Sequence, residues 1–272
     1  RHAGPAHLEV GGLEPVGAVD VDRDVAERLL QGERCRRGAH RMAAGHHRQG
    51  CAVGDREVDH AVGLLPARVD RDEAGFARHL RVMQGRPFVL VSTGTWVVCM
   101  ASGGSVQRLD PARDMLANVD VTGDAVPCAR FMGGREFARI CELTGSDTAE
   151  PLTMEALQAT VDADVFALPD FSGGSGPCAG RAGHITGQPA QGAALATLYL
   201  ALMIELEIEL LDAPGEVLIE GAFAANPLLC ALVAALCARR VYISGAMDAT
   251  ALGAAMLCNW QCQPAPARHG RC

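Results

Sequence analysis

Three short runs rich in glycine and small polar residues carry most of the chemistry this sequence offers. The first, "VLVSTGTWVV" at residues 89–98, sets Ser92, Thr93, Gly94, Thr95 and Trp96 between two apolar, β-branched runs. A strand that enters such a turn and leaves as a second strand makes a hairpin. Its tip reads in two ways. In one, Gly94 supplies a positive φ and the hydroxyls satisfy local backbone groups. In the other, the bare glycine backbone and the neighbouring hydroxyls form a phosphate cradle that donates hydrogen bonds to an anion. The second run is Gly221 to Asn226, where a strand ends in small residues just before a helix. That arrangement gathers backbone N–H groups and a helix dipole at one point, which suits a nucleotide. It equally suits close helix–strand packing, with Asn226 as N-cap and Pro227 at the first helical position. The third is the Gly133-Gly134 pair ahead of a helix, either a tight turn or a point of ligand contact.

Metal chemistry is poorly served. Cys35, His40, His46, His47 and Cys51 form one cluster in the sequence, and Cys258, Cys262, His269 and Cys272 another. Neither spacing fits a zinc knuckle or finger, which must hold four ligands tetrahedrally. Both sets read as compositional, and no metal ligand is assigned. The 11 cysteines are odd in number. Cys99, Cys141, Cys230 and Cys237 lie in apolar sequence, as small buried thiols do, and not in a disulfide framework.

The elements that must position the three runs lie downstream of residue 75. Residues 1–75 contain no Ser, Thr, Asn, Ile, Phe, Tyr or Trp. Such a segment lacks both bulky core residues and turn-forming ones, so residues 1–72 are expected to be poorly ordered, with short helices at most around 25–31 and 58–65. From Phe76 the patterning is that of a folded α/β domain. Phe137, Ile140 and Leu143 recur at helical spacing after the glycine pair. An apolar helix spans about 191–211 and stops at Pro214-Gly215. Then come a buried strand in "EVLIEG", the small-residue turn, a helix, the short strand "VYISG" and a helix opened by Asp248 as N-cap. This βαβα order predicts a mixed sheet with flanking helices.

Length and charge set limits on function. A chain of 272 residues with 49% hydrophobic content can bury a real core. Its net charge of -8 offers no basic field for nucleic acid or a membrane surface. With no apolar run of about 18 residues and no signal-peptide layout, the sequence reads as cytoplasmic.

Taken in order, "FVLVSTGTW", "ARFMGGREF", "GSGPCAGRAGHITG", a "LYLAL" helix, "VLIEGAFAANP" and "DATALGAAML" resemble the C-terminal half of the FGGY carbohydrate kinases, closest to their rhamnulokinase- and fuculokinase-like members. The resemblance runs from about residue 76 to residue 260. It implies an actin- and hexokinase-like (ribonuclease H-like) ATPase domain at 73–262, with an unassigned segment at 1–72 and a tail at 263–272. It also implies ATP and Mg²⁺ as cofactors and a sugar or related polyol as substrate. The family's second phosphate loop falls on Thr93, Gly94 and Thr95, with Thr95 meeting the terminal phosphates. Gly134 matches a glycine near the nucleotide. Gly221 and Asn226 match the adenosine turn, and Ala222 stands where a second glycine is commoner. The family's base is an Asp in a His-Asp-Ser-Asn-Ala-Ser motif upstream of a helix like "FARHL". Here that position falls on Arg71, flanked by Asp70 and Asp72. The family's N-terminal phosphate loop and sugar-binding half find no counterpart in residues 1–75. The resemblance therefore implies the nucleotide-side half of a sugar kinase, inactive by itself, with a partner lobe or a homo-oligomer completing it. A non-enzymatic remnant or interaction module that keeps this fold is the alternative.

Overall fold

A computed structural model describes residues 13–15 and 71–244, with the backbone alone described at 13–15 and 71–74. Helix α1 (Arg71–Met83) leads into strand β2 (Phe88–Thr93), which turns sharply into β3 (Val97–Ser102). Strands β4 (Met115–Val119) and β5 (Ala125–Phe131) follow, then α2 (Gly133–Thr144), α3 (Met154–Asp162), a small β6–β7 pair (Ala167–Leu168, His184–Ile185) and α4 (Gly192–Leu211). The described chain closes with β8 (Glu216–Gly221), α5 (Pro227–Cys237) and β9 (Val241–Ser244). Counting β1 (Leu13–Pro15), the main sheet has the order β1-β9-β8-β2-β3-β5-β4. Strands β2, β8 and β9 run parallel to one another, and β3, β5, β4 and β1 pair antiparallel. The sheet is mixed, with flanking helices, as the sequence predicts.

Period-2 alternation divides the core into two layers. Val89, Val91, Val97, Cys99, Ala101, Val217 and Ile219 face the larger layer, which α2, α4 and α5 fill. Phe88, Leu90, Val98, Met100 and Leu218 face the smaller one, closed by Phe76 and Met83 of α1. Because β2 and β8 are covered on both sides, they read as nearly continuous apolar runs. Helix α4 is buried along most of its length, and its sequence is apolar on nearly all faces for that reason. It ends at Asp212, in a left-handed conformation, two residues before Pro214.

Some expectations need correction. Leu143 does not share the buried face of Phe137 and Ile140: it is half exposed, and Cys141 takes the inner position. The β4–β5 hairpin and α3 have no counterpart in the sequence reading. Residues 13–15 pair with β9 at the sheet edge, which the composition of that segment does not signal. The expected helix opened by Asp248, the short helices at 25–31 and 58–65, and the Cys/His clusters of both ends lie outside the described residues. Among the described cysteines, Cys99, Cys128, Cys141 and Cys230 are buried thiols outside any disulfide, while Cys178 and Cys237 are half-buried.

Candidate functional site

The parallel pair β2–β8 ends in register, Thr93 opposite Gly221, and the two chains then diverge. One returns as β3 and the other turns into α5. In open α/β sheets, a crevice beyond the carboxyl ends of the strands is where ligands bind. All three glycine-containing runs meet there.

Backbone contacts hold them together. Gly94 N–H donates to Trp96 O at 2.9 Å, closing the hairpin tip, and Gly134 N–H donates to Thr95 O at 3.2 Å, docking the start of α2 onto it. A methyl group at Gly134 would overlap Gly94 O and stand 3.1 Å from Thr95 Cα, so only glycine permits this approach. Gly221 has φ +89, and a methyl group there would overlap Thr93 O. Thr93 is itself buried. Its Oγ1 donates to Glu220 O at 2.5 Å and accepts from Phe223 N–H at 3.1 Å. That hydroxyl therefore joins the hairpin to the 221–226 turn and faces inward, whereas the neighbouring Thr95 is exposed. Phe137 of α2 packs edge-on against Phe223 of the turn, ring centroids 5.2 Å apart.

The turn after Gly221 is a short 3-10 helix, Ala222–Ala225, with Ala222 exposed. Asn226 Oδ1 accepts from the N–H groups of Leu228 and Leu229, both at 3.1 Å, and Pro227 occupies the first position of α5. Asn226 thus caps α5, as the packing reading of that residue expects. Of the family-matched acids, Asp70 lies outside the described residues. Asp72 falls in the first turn of α1, where the backbone alone is described.

The surface so formed suits an anion. Within 4 Å of where a Cβ would stand at Gly94 there is only Trp96 O, at 3.7 Å, so the tip is open outward beside the exposed Thr95 hydroxyl. The carboxylates nearest in sequence are turned inward, Glu136 onto Tyr199 and Glu220 onto His79. Among the described residues no group of three His, Cys, Asp or Glu could hold a metal. A Mg²⁺ carried on a polyphosphate needs no such cage, because phosphate oxygens and waters supply most of its ligands. Trp96 extends the tip, with the Arg130 guanidinium 5.1 Å from its ring centroid. Asp114 steadies that arginine, accepting from Nε at 3.0 Å.

Polar chemistry behind the site was not foreseen. Glu136, in the first turn of α2, is buried against the Tyr199 hydroxyl. Burial pushes its carboxyl up to about 7 against the pull of that hydrogen bond, and the nearby Asp170 adds to the rise. Burial likewise pushes the Tyr199 hydroxyl upward. Burial would raise Asp170 as well, but the Ser172 hydroxyl and the N–H groups of Ser172, Gly173 and Gly174 together hold it below the usual carboxylate range. Further along α4, Glu207 is fully buried, neither carboxylate oxygen has a hydrogen-bond partner, and burial drives its carboxyl well up.

Residues 85–266 match the family model described as "Carbohydrate kinase FGGY, C-terminal domain". Among solved structures, the chain is similar to a carbohydrate kinase from Novosphingobium aromaticivorans, with 28% identity and a TM-score of 0.59, over 71% of this chain and 44% of that one. It is similar in fold to the xylulose kinases of Bifidobacterium adolescentis, at 18% identity and TM-score 0.54 over 70% and 39% of the two chains. The xylulose kinase of Rhodospirillum rubrum gives 17% identity and 0.52 over 68% and 41%. The chain thus spans less than half the length of these structures. No curated protein matches it. Among the described residues, no helix is long and apolar enough to cross a membrane.

Proposed function

The chain belongs to the FGGY carbohydrate kinases through their C-terminal domain, and from that premise we propose that it forms the nucleotide-side half of an ATP-dependent sugar kinase. The observation that carries the reading is the meeting of Gly94–Thr95, Gly134 and Gly221–Asn226 at the ends of β2 and β8. Bound ATP would supply the phosphoryl group, and Mg²⁺ would neutralise charge on its phosphates. The chain's own residues supply the cradle. The Thr95 hydroxyl and the backbone of the hairpin tip would donate hydrogen bonds to the terminal phosphates, which strengthen when the acceptor is anionic. Gly134 backs the tip, so the cradle is fixed before ligand arrives and little ordering is needed on binding. The Gly221–Asn226 turn would receive the adenosine, with Ala222 exposed at its mouth. Thr93, though part of the phosphate-loop motif, would serve by holding hairpin and turn together.

The acceptor is a hydroxyl of a sugar or related polyol. Asp72 or Asp70 would take its proton, at the start of α1 and just before it. We expect the described residues alone to hold an acceptor hydroxyl poorly in line with the phosphate, and lost positioning of this kind costs many kcal/mol of barrier. Two assays separate the parts of the reading. Titration calorimetry with ATP and Mg²⁺ is expected to give saturable binding. A coupled ADP-release assay over ribulose, rhamnulose, fuculose, xylulose and glycerol is expected to show no turnover near the roughly 1–100 s⁻¹ of kinases. Absence of ATP binding contradicts the nucleotide assignment. Robust sugar-dependent turnover, abolished by Asp72→Asn or Asp70→Asn, contradicts the inactivity of the isolated half and identifies the base.

A further inference from the structure

Glu220, the residue before Gly221, points its side chain to the opposite face of the sheet from the α2–α5 layer, alongside Leu218. There its Oε2 lies 2.8 Å from His79 Nε2 of α1, in a pair with side-chain exposures of 5% and 0%. One turn earlier, Gly75 makes room for the carboxylate: a Cβ there would stand 2.5 Å from Glu220 Oε1. The other ring nitrogen, His79 Nδ1, is buried with no hydrogen-bond partner. The Glu220 carbonyl, meanwhile, accepts the Thr93 hydroxyl that bonds the Phe223 N–H. One residue therefore grips α1 with its side chain and the nucleotide turn with its backbone. A second strap, Arg78 Nη1 donating to Ser244 Oγ at 2.8 Å, ties the same helix to β9.

This is a costly way to attach a helix. An apolar pair of similar volume would pack as well and avoid both the desolvation of two polar side chains and the unpartnered nitrogen. What the pair adds is direction. A hydrogen bond between two buried side chains fixes the rotation and height of α1, where leucine contacts would let it slide. The first turn of α1 carries Arg71 and Asp72, which match the acceptor-activating segment.

We propose that His79 and Glu220 are a positioning pair that locks α1 to the nucleotide turn, so that occupancy of the turn fixes the helix whose first turn faces the acceptor. The pair touches no ligand. The proposal rests on the nucleotide assignment of the Gly221–Asn226 turn. Backbone amide exchange across residues 71–83, with and without saturating ATP and Mg²⁺, tests it. Saturating ATP is expected to slow exchange in α1 by about tenfold or more in the native chain. His79→Gln, which keeps a donor, should retain that slowing. The double variant His79→Leu with Glu220→Leu should melt no lower than the native chain yet lose the ATP-dependent slowing, which separates positioning from support of the fold. Equal slowing in the double variant, or ATP binding that leaves α1 exchange unchanged in the native chain, overturns the proposal alone. The native measurement stands even if a variant does not fold. Failure of the native chain to bind ATP overturns the nucleotide assignment and this proposal together.

Discussion

The ends of β2 and β8 and the α2–α4 interface lie next to each other and are built in opposite ways. The strand ends are made of backbone: Gly134 and Gly221 let the carbonyls of Gly94 and Thr93 press against their Cα atoms, and the exposed side chains at the tip are the Thr95 hydroxyl and the Trp96 ring. The α2–α4 interface and its surroundings hold buried acids: Glu136 on Tyr199 between the two helices, Asp170 nearby in a ring of N–H groups, and Glu207 on α4 with no partner. The contrast follows from electrostatics. A surface that receives an anion must present donors and keep carboxylates away, and a carboxylate that is kept away must be buried, hydrogen-bonded or protonated. Both solutions occur in helix α2, whose second residue, Gly134, docks the tip while its fourth, Glu136, turns inward.

The largest effect is expected on the backbone side. Gly221→Ala combines a positive φ with overlap onto Thr93 O and should lower stability by about 3 kcal/mol or more. Chemical denaturation measures it, and a loss under about 1 kcal/mol would mean the turn is not pinned to β2.

On the acidic side the sign reverses. Glu207→Leu replaces a buried carboxyl that has no partner with an apolar side chain of similar length, and should raise stability by about 1–2 kcal/mol. A lower melting temperature would show that the carboxyl has an essential role in the fold.

Glu136 gives a smaller, pH-dependent effect. Its folded value of about 7 lies above the ordinary 4.5, so between those values the folded state holds a proton that the unfolded chain has lost. Stability from this group is full below about 4.5 and is lost as pH rises through 7. Glu136→Gln, fixed in the neutral form, should flatten the stability curve by on the order of 1 kcal/mol between pH 5 and 8. Parallel curves for the two proteins would remove Glu136 from the titration.

The two regions also differ in how far the sequence disclosed them. The meeting of the three glycine-bearing runs was legible because glycine and hydroxyl residues stand out between apolar runs, and because strand–turn–helix order fixes where the runs must meet. The inward orientation of Thr93 was not, since Ser92, Thr93 and Thr95 carry like groups and only the register of β2 with β8 decides which is buried. The acidic interface was hidden for a local reason. A glutamate in the first turn of a helix reads as a surface acid favoured by the dipole, and Tyr199 lies 63 positions away. His79 and Glu220 are 141 positions apart, with nothing in "FARHL" to distinguish a buried histidine from a solvated one. The β4–β5 hairpin escaped notice because Ala117, Asn118, Pro127 and Ala129 dilute its alternation.

The smallest effect on the fold bears most on function. Thr95→Val keeps the β-branched shape at the exposed tip and removes only the hydroxyl, so thermal stability should stay within about 0.5 kcal/mol of native. Titration calorimetry with ATP and Mg²⁺ on both proteins is then the direct test that the ends of β2 and β8 form a nucleotide site. The account predicts saturable binding by the native chain and a loss of about 1–2 kcal/mol in Thr95→Val. Equal affinity in the two, at equal stability, would return the hairpin to an ordinary turn and contradict it.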